Sequence, residues 1–204
     1  MARISLDLTG RRPRPTLATR VSLTYARKQY GTDPDSMLAM SHHPGVLFPW
    51  ALMETAGQRR RTALPGHLAD LVTFVTAVRI GCSWCVDFGA SLWEQQGLDP
   101  AMLREAVSWR GSDRFDEDSR AAFAYAEAMT GELDDVTDEM VADLSRRFGD
   151  KGVVELTYLV ALENMRSRFN AALGLSTQGF SSGEACSVAE AEWAQRKLAG
   201  QDSA

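Results

Sequence analysis

Apolar residues in this chain recur every three or four positions, the spacing that gathers them on one face of a helix, and no segment reads as a strand. The pattern predicts a helix over Leu17–Tyr30, ended by Gly31, then a short helix capped by Asp33 and running to about Met40. Ser41-His42-His43-Pro44-Gly45 predicts a turn, because proline disfavours helix in the residue before it. Helix resumes from Val46 to about Ala63, interrupted at Pro49. Leu64-Pro65-Gly66 then opens a strongly apolar helix carrying Leu68, Leu71, Val72, Val75, Val78 and Ile80. Its apolar face is wider than a surface helix needs, which places it at the centre of the fold.

Gly81 ends that helix, and Cys82 begins another that reaches about Gln96. Asp99-Pro100 combines a capping side chain with a first-turn proline and starts a short helix. Gly111 to Asp113 is loop. Asp116 or Asp118 caps a helix through Phe123 and Met129, and Thr137-Asp138-Glu139 marks one more start, with acids where the helix dipole favours them. The longest helix starts at Asp150 and runs to Gly174, and after a Ser- and Gly-rich stretch a last helix spans Ala189 to Ala199. These elements make one all-α domain, with an N-terminal helical arm over 1–40, a core over 41–180 and a C-terminal helical tail over 181–204.

Composition narrows the function classes. With 45% hydrophobic and 24% charged residues the chain can bury a core, and its net charge of -5 lacks the basic field that nucleic acid or an anionic membrane surface requires. The basic cluster Arg59-Arg60-Arg61 reads as a solvated helix end. No apolar run approaches the roughly 18 residues of a spanning helix. The N-terminus, with Arg3, Asp7, Arg11, Arg12 and Arg14, has no apolar stretch of the secretory kind. Three cysteines cannot form a disulfide framework. The expectation is a cytoplasmic protein without a nucleic-acid or membrane partner.

The chemistry concentrates in Cys82-Ser83-Trp84-Cys85, at a predicted helix start. Residues three apart on a helix have Cβ atoms roughly 5–6 Å apart. A disulfide wants about 3.5–4.5 Å, a gap that a small adjustment in the first turn closes. The unsatisfied amides and positive dipole end also favour thiolate over thiol. Such a pair can attack, oxidise internally and be reset. A thioredoxin fold is excluded, since it needs a βαβ pattern that this chain lacks. Two plainer readings compete: half of a zinc site, for which neither a second CxxC nor a spaced histidine pair is present, and a pair of inert buried thiols. Cys186, with no partner within four residues, reads as an inert thiol.

Three runs carry a family resemblance: LPGHLADLV from Leu64, AVRIGCSWC from Ala77, and VELTYLVALEN from Val154 continued by RFNAALGL from Arg168. Together they resemble the carboxymuconolactone decarboxylase family, and in particular its CxxC-containing, alkylhydroperoxidase D-like branch, over roughly Pro44 to Gly174. The resemblance implies an all-α, alkylhydroperoxidase D-like helical bundle with the CxxC at the start of a core helix. It implies a thiol-dependent peroxidase or disulfide oxidoreductase acting on hydroperoxides, with Cys85 attacking and Cys82 resolving. Helix-dipole logic alone favours Cys82 as the attacker. The electron donor would be an external dithiol, a lipoyl group or small redox protein; no cofactor is implied, and the assembly would be a homo-oligomer built in threes.

The branch carries a glutamate twelve residues before the first cysteine and a histidine four after the second. Here those positions are Asp70 and Gly89. Asp70 would order a water or proton, and the lost histidine implies a slow peroxidase. Asp87, at i+2 from Cys85, faces away from it. His67 reads as an exposed first-turn residue, and His43 before Pro44 as a turn residue. Arg168 and Asn170 read as residues that position helix ends or subunit contacts, Glu155 as the partner of Arg79 or Arg166, and Trp84 and Trp93 as packing residues. Two other classes stay open: a cofactor-free lactone decarboxylase-like lyase, which does not depend on a dithiol, and a non-enzymatic redox-sensing oligomer.

Overall fold

The structure is a computed structural model that describes residues 2–8, 16–59 and 63–201. Pro13, Pro15 and the arginines at 11, 12 and 14 lie outside the described residues, as do Arg60, Arg61 and the side chain of Arg59. The described residues hold helices and no strand, as expected. In chain order they are α1 (Leu17–Tyr30), α2 (Asp35–Met40), α3 (Pro44–Arg59), α4 (Leu68–Ile80), α5 (Ser83–Gln95), α6 (Pro100–Val107), α7 (Glu117–Ala128), α8 (Asp138–Ala172) and α9 (Glu184–Gln201).

Most boundaries follow from local chemistry. Thr16, Asp99, Asp116 and Thr137 each accept a hydrogen bond from a first-turn N–H of α1, α6, α7 and α8, groups that have no partner inside the helix. Gly149 (φ 66°, ψ 168°) breaks α8, so the expected start at Asp150 is the start of its second segment. Three expectations are corrected. Pro34, not Asp33, occupies the N-cap of α2, and Asp33 instead receives the Arg27 guanidinium (Nε to Oδ1, 3.1 Å). Helix α3 begins at Pro44, in the first turn, where a missing N–H costs nothing, and it continues through Pro49. Helix α9 begins at Glu184, before the expected Ala189.

Helix α4 is the centre. Val72, Phe74, Val75, Ala77 and Val78 are buried, and the helix packs on α5, α6, α7 and α8. Each fully buried Val, Leu or Phe side chain contributes roughly 1.5–3 kcal/mol, so this hairpin-centred cluster, with Val86, Phe123, Leu156 and Val160, is what holds α5 and α8 in register. The N-terminal segment closes the end of α8. Arg3 donates its backbone N–H to Leu173 O (2.7 Å) and its guanidinium to Ala171 O and Ala172 O, carbonyls a helix end leaves without partners. Helix α9 lies against α5 and α6. No described helix is long and apolar enough to cross a membrane.

Candidate functional site

Gly81 (φ 88°) turns the chain from α4 into α5 through a left-handed conformation that a side chain would oppose. Cys82 therefore lands at the N-cap of α5, where its Sγ accepts the Cys85 N–H at 3.2 Å. The two cysteines form a disulfide, with Cα atoms 5.3 Å apart, inside the usual span of about 4.4–6.8 Å. Both are buried, Cys82 at 3% exposure and Cys85 at 9%.

The polar neighbours of Cys85 come from the second segment of α8. Ser167 Oγ and Asn170 Nδ2 each stand 3.4 Å from Cys85 Sγ, and Ser167 Oγ is 2.8 Å from Glu163 Oε1. Positions 163, 167 and 170 are i, i+4 and i+7, one face of one helix. All three side chains are buried, Glu163 at 3% exposure. Burial pushes the Glu163 carboxyl above the usual range; Arg166 and Ser167 pull it down without cancelling that, and Glu54 adds to the rise. The Arg166 guanidinium binds Glu54 in two-pronged fashion (Nε to Oε1, 2.7 Å) and reaches Glu163 Oε2 with one nitrogen at 3.1 Å. Trp50 Nε1 also donates to Glu54, at 3.0 Å. One cation thus serves two carboxylates, and Glu54 has the larger share.

A second buried carboxylate lies two residues past Cys85, on another face of α5. Asp87, 1% exposed, accepts the N–H groups of Gln178 (2.9 Å), Gly179 (2.8 Å) and Phe180 (3.1 Å) on one oxygen. Its other oxygen accepts the Ser181 N–H (3.0 Å) and hydroxyl (2.9 Å). Burial alone would raise this carboxyl, but these donors outweigh burial and hold it below its ordinary 3.8. Trp84 donates its indole N–H to Gln178 Oε1 (2.8 Å), stacks on Phe88, and meets Phe180 edge-on, so the segment leading into α9 is fastened over the start of α5. Cys186 is a free thiol in the first turn of α9, pushed up to about 11 by burial and by the charges of Asp87, Glu190 and Glu94.

The structure brings Cys82 and Cys85 together, and Asp70 lies on the preceding helix, α4. Asp70 sits in the first turn of α4, ten residues before Ile80, or about 15 Å of helix at 1.5 Å per residue. Its oxygen is 3.9 Å from His67 Nδ1, and the His67 ring packs on Trp93. Gly89 lies inside α5, one turn past Cys85, facing Phe74. His43 supplies the carbonyl that receives the Val46 and Leu47 N–H groups at the start of α3. Glu155 accepts the Ala63 N–H at 3.0 Å, while Arg166, one of its expected partners, binds Glu54 and Glu163. Arg168 is exposed, whereas Asn170, in the last turn of α8, directs its side chain at Cys85 while its carbonyl accepts the Leu175 N–H. Trp93 donates to Asp99 O at 2.9 Å.

Sequence reasoning passed over Glu163 and Ser167. The signal available was positional: the buried stripe of α8 runs Leu156, Leu159, Val160 and then continues at the same spacing through Glu163, Ser167 and Asn170. Polar residues that keep an apolar stripe's spacing are buried polar residues, and such groups are placed to meet something. Among the described residues no group of three or more His, Cys, Asp or Glu is arranged to hold a metal ion. A separate cavity of about 860 Å³ opens among α4, α6, α7 and α9, and neither cysteine lines it.

The sequence profile of the carboxymuconolactone decarboxylase family matches residues 47–128. Protein YnjA of Escherichia coli (strain K12), described as uncharacterized, is 32% identical over 154 residues, which span 75% of this chain and 84% of YnjA. Among solved structures, an uncharacterized peroxidase-related protein from Ralstonia eutropha JMP134, described as an alkylhydroperoxidase AhpD core, superposes with a TM-score of 0.72 at 16% identity. That match covers 88% of this chain and 94% of the other. The debrominase Bmp8, in its C82A form with 2,3,4-tribromopyrrole, superposes with a TM-score of 0.74 at 16% identity, covering 96% and 99%. At that identity the two structures share the fold with this chain.

Proposed function

The chain belongs to the carboxymuconolactone decarboxylase family, and from that premise we propose that it is a thiol-dependent peroxidase or disulfide oxidoreductase whose working groups are Cys85 and Cys82. The observation that carries the reading is the bonded pair at the N-terminus of α5, with two hydrogen-bonding side chains directed at one of its sulfurs. Cys85 is the attacker, because Ser167 and Asn170 can both donate to its thiolate, and donors of that kind stabilise the charged form. Cys82 resolves. The Cys85 thiolate attacks the terminal peroxide oxygen; an S–O bond forms, the O–O bond breaks, and the alkoxide leaves and is protonated to an alcohol. The sulfenic acid then condenses with the Cys82 thiol, releasing water and forming the disulfide. An external dithiol, a lipoyl group or small redox protein, returns both cysteines to thiols and is itself oxidised.

The fold likeness to a debrominase favours a second substrate for the same pair. A thiolate can take bromine from an aryl bromide, the ring carbon takes a proton, and the second thiol displaces bromide to give the same disulfide. Incubating the reduced protein with a hydroperoxide or with tribromopyrrole, each with excess dithiothreitol, separates the two. Turnover of hydroperoxide that Cys85→Ser abolishes supports the first reading. Turnover only of the bromide moves the activity to the second, and oxidation of the dithiol without turnover leaves a redox sensor. Lactone consumption that persists after both cysteines are alkylated points to a lyase.

Self-association in threes belongs to the same proposal. Leu17, Val21 and Tyr25, at i, i+4 and i+8, form an exposed apolar stripe on α1, and Phe48 and Leu52 add exposed apolar area on α3. Light scattering on the reduced protein is expected to give a multiple of the monomer mass, with Leu52→Asp shifting it toward the monomer; a monomer at micromolar concentration sinks this part.

A further inference from the structure

We propose that Glu163 is the proton store of this dithiol, exchanging a proton with Cys85 through the Ser167 hydroxyl, in the role that a histidine at position 89 would otherwise serve. The inference rests on the reading of Cys85 as the attacking thiol. Glu163 does not touch the sulfur; it is a positioning residue that holds the proton one hydroxyl away.

Ser167 carries one hydroxyl proton and has two acceptors in reach, Glu163 Oε1 at 2.8 Å and Cys85 Sγ at 3.4 Å. The shorter contact is to the charged group, so with Glu163 ionised the hydroxyl proton points at the carboxylate. The Ser167 oxygen then offers a lone pair to Cys85, and in the reduced protein it accepts the S–H. Passing the thiol proton to Ser167 while the Ser167 proton passes to Glu163 leaves a thiolate and a neutral carboxylic acid. Ser167 now donates to sulfur, together with Asn170 Nδ2 at 3.4 Å. One negative charge has moved from oxygen to sulfur, and none has been created. That matters in a site this buried, where making a new unpaired charge is expensive and moving an existing one is not. When the peroxide O–O bond breaks, the stored proton returns along the same path to the leaving alkoxide, and Glu163 is ionised again.

The surroundings suit the role. The groups that face Glu163 are Arg166 on its own helix, Glu54 from α3 and Cys85 from α5, with Ser167 between. Arg166 is engaged chiefly with Glu54, so Glu163 is the under-served carboxylate and the better proton acceptor. Tyr30, from α1, stands near Glu54, and burial raises its phenol above the ordinary value.

The experiment follows Cys85 in the reduced protein by mass spectrometry after iodoacetamide labelling, between about pH 5 and pH 10, and separately follows cumene hydroperoxide consumption with dithiothreitol. Two groups sharing a proton titrate in two macroscopic steps, so the wild-type labelling profile is expected to have two. Glu163→Gln keeps the shape but cannot accept the proton, and is expected to collapse the profile to one step and lower peroxide consumption roughly 100-fold. Ser167→Ala, which leaves the charges in place, is expected to lower consumption similarly, and the double variant no further. Wild-type labelling in one step, or a folded Glu163→Gln or Ser167→Ala protein with unchanged labelling and consumption, overturns the relay. If the wild type labels in two steps but consumes no hydroperoxide, the relay stands and the peroxidase reading falls.

Discussion

Asp87 and Glu163 are both almost wholly buried, and both lie close to Cys85, yet their surroundings drive them in opposite directions. Asp87 meets four backbone N–H groups and a hydroxyl, which use both its oxygens and hold its carboxyl low. Glu163 meets one hydroxyl and one nitrogen of a guanidinium that another acid already occupies, and its carboxyl is raised. A saturated carboxylate is a fastener, because protonating it discards several strong hydrogen bonds at once. An under-served one is a place to put a proton. Proximity along the chain is no guide here: Asp87 is the nearer acid, and at i+2 from Cys85 it lies on another face of α5.

The largest effect expected from this contrast is on stability. Asp87→Ala leaves the 178–181 segment without its anchor and is expected to cost about 3 kcal/mol, since hydrogen bonds to a charged group are the strong ones. For a chain of this size that is roughly 6–12 °C in melting temperature. Glu163→Gln should move it by about 1 kcal/mol at most, because Arg166 keeps Glu54 and a carboxamide still accepts from Ser167. A calorimetric scan in which both variants lose equally would erase the distinction between fastener and store.

The pH dependence sharpens it further. Asp87 is lowered on folding, so its contribution is present above its ordinary 3.8 and is lost as pH falls through the folded value. Glu163 is raised, so its contribution is present below 4.5 and is lost as pH rises through its folded value. Melting temperature against pH is therefore expected to lose its acid-side decline in Asp87→Asn, and its decline above about pH 4.5 in Glu163→Gln. Curves that keep the wild-type shape in both variants would assign the pH dependence to other groups.

These two fates also mark what the sequence could reveal. Helix ends were legible wherever a cap or a glycine had a local job: Asp99, Asp116 and Thr137 as side-chain caps, Gly31 and Gly81 as left-handed ends. Ends set by tertiary contact were not. The start of α9 at Glu184 follows a segment held by Asp87 and by Glu94, which accepts the Ser182 N–H, and those acids lie 94 and 88 residues from Ser181 and Ser182 in sequence. The dithiol was legible because its two members sit three residues apart. Its wall was not, because Ser167 and Asn170 meet Cys85, with Glu163 behind Ser167, only once α5 and α8 are packed on α4. Asp70, expected from the family resemblance, lies in the first turn of α4, a whole helix before Cys82 along the chain.

The two remaining thiol environments give a smaller test. Cys186 is pushed up to about 11, first by burial and then by the charge of Asp87. At pH 8 its thiolate fraction is about one in 1,000, so in the reduced protein iodoacetamide is expected to label Cys85 well before Cys186. Asp87→Asn removes the opposing charge and loosens the segment beside it, and should speed labelling of Cys186 while leaving Cys85 unchanged. Equal acceleration of both thiols would mean that the Asp87 fastening and the Cys85 wall are not separate.

The smallest effect, and the one that closes the comparison, concerns Gly89. A Cβ there would stand 3.8 Å from Phe74 Cδ2, an ordinary contact, and glycine inside a helix costs roughly 0.5–1 kcal/mol against alanine. Gly89→Ala should therefore stabilise the protein slightly, about 1–4 °C in melting temperature, without touching turnover. Helical side chains lean toward the N-terminus, so the ring in Gly89→His would lean toward Cys85, one turn earlier. In the wild-type background that added base should raise hydroperoxide turnover only modestly at neutral pH, since Glu163 already stores the proton. In a Glu163→Gln background it should restore a sizeable part of the loss, roughly tenfold or more, because a positioned base is typically worth 10²–10⁴ in rate. Equal gains in both backgrounds would show that Glu163 was not the group being replaced, and would leave it as the partner of Arg166 alone.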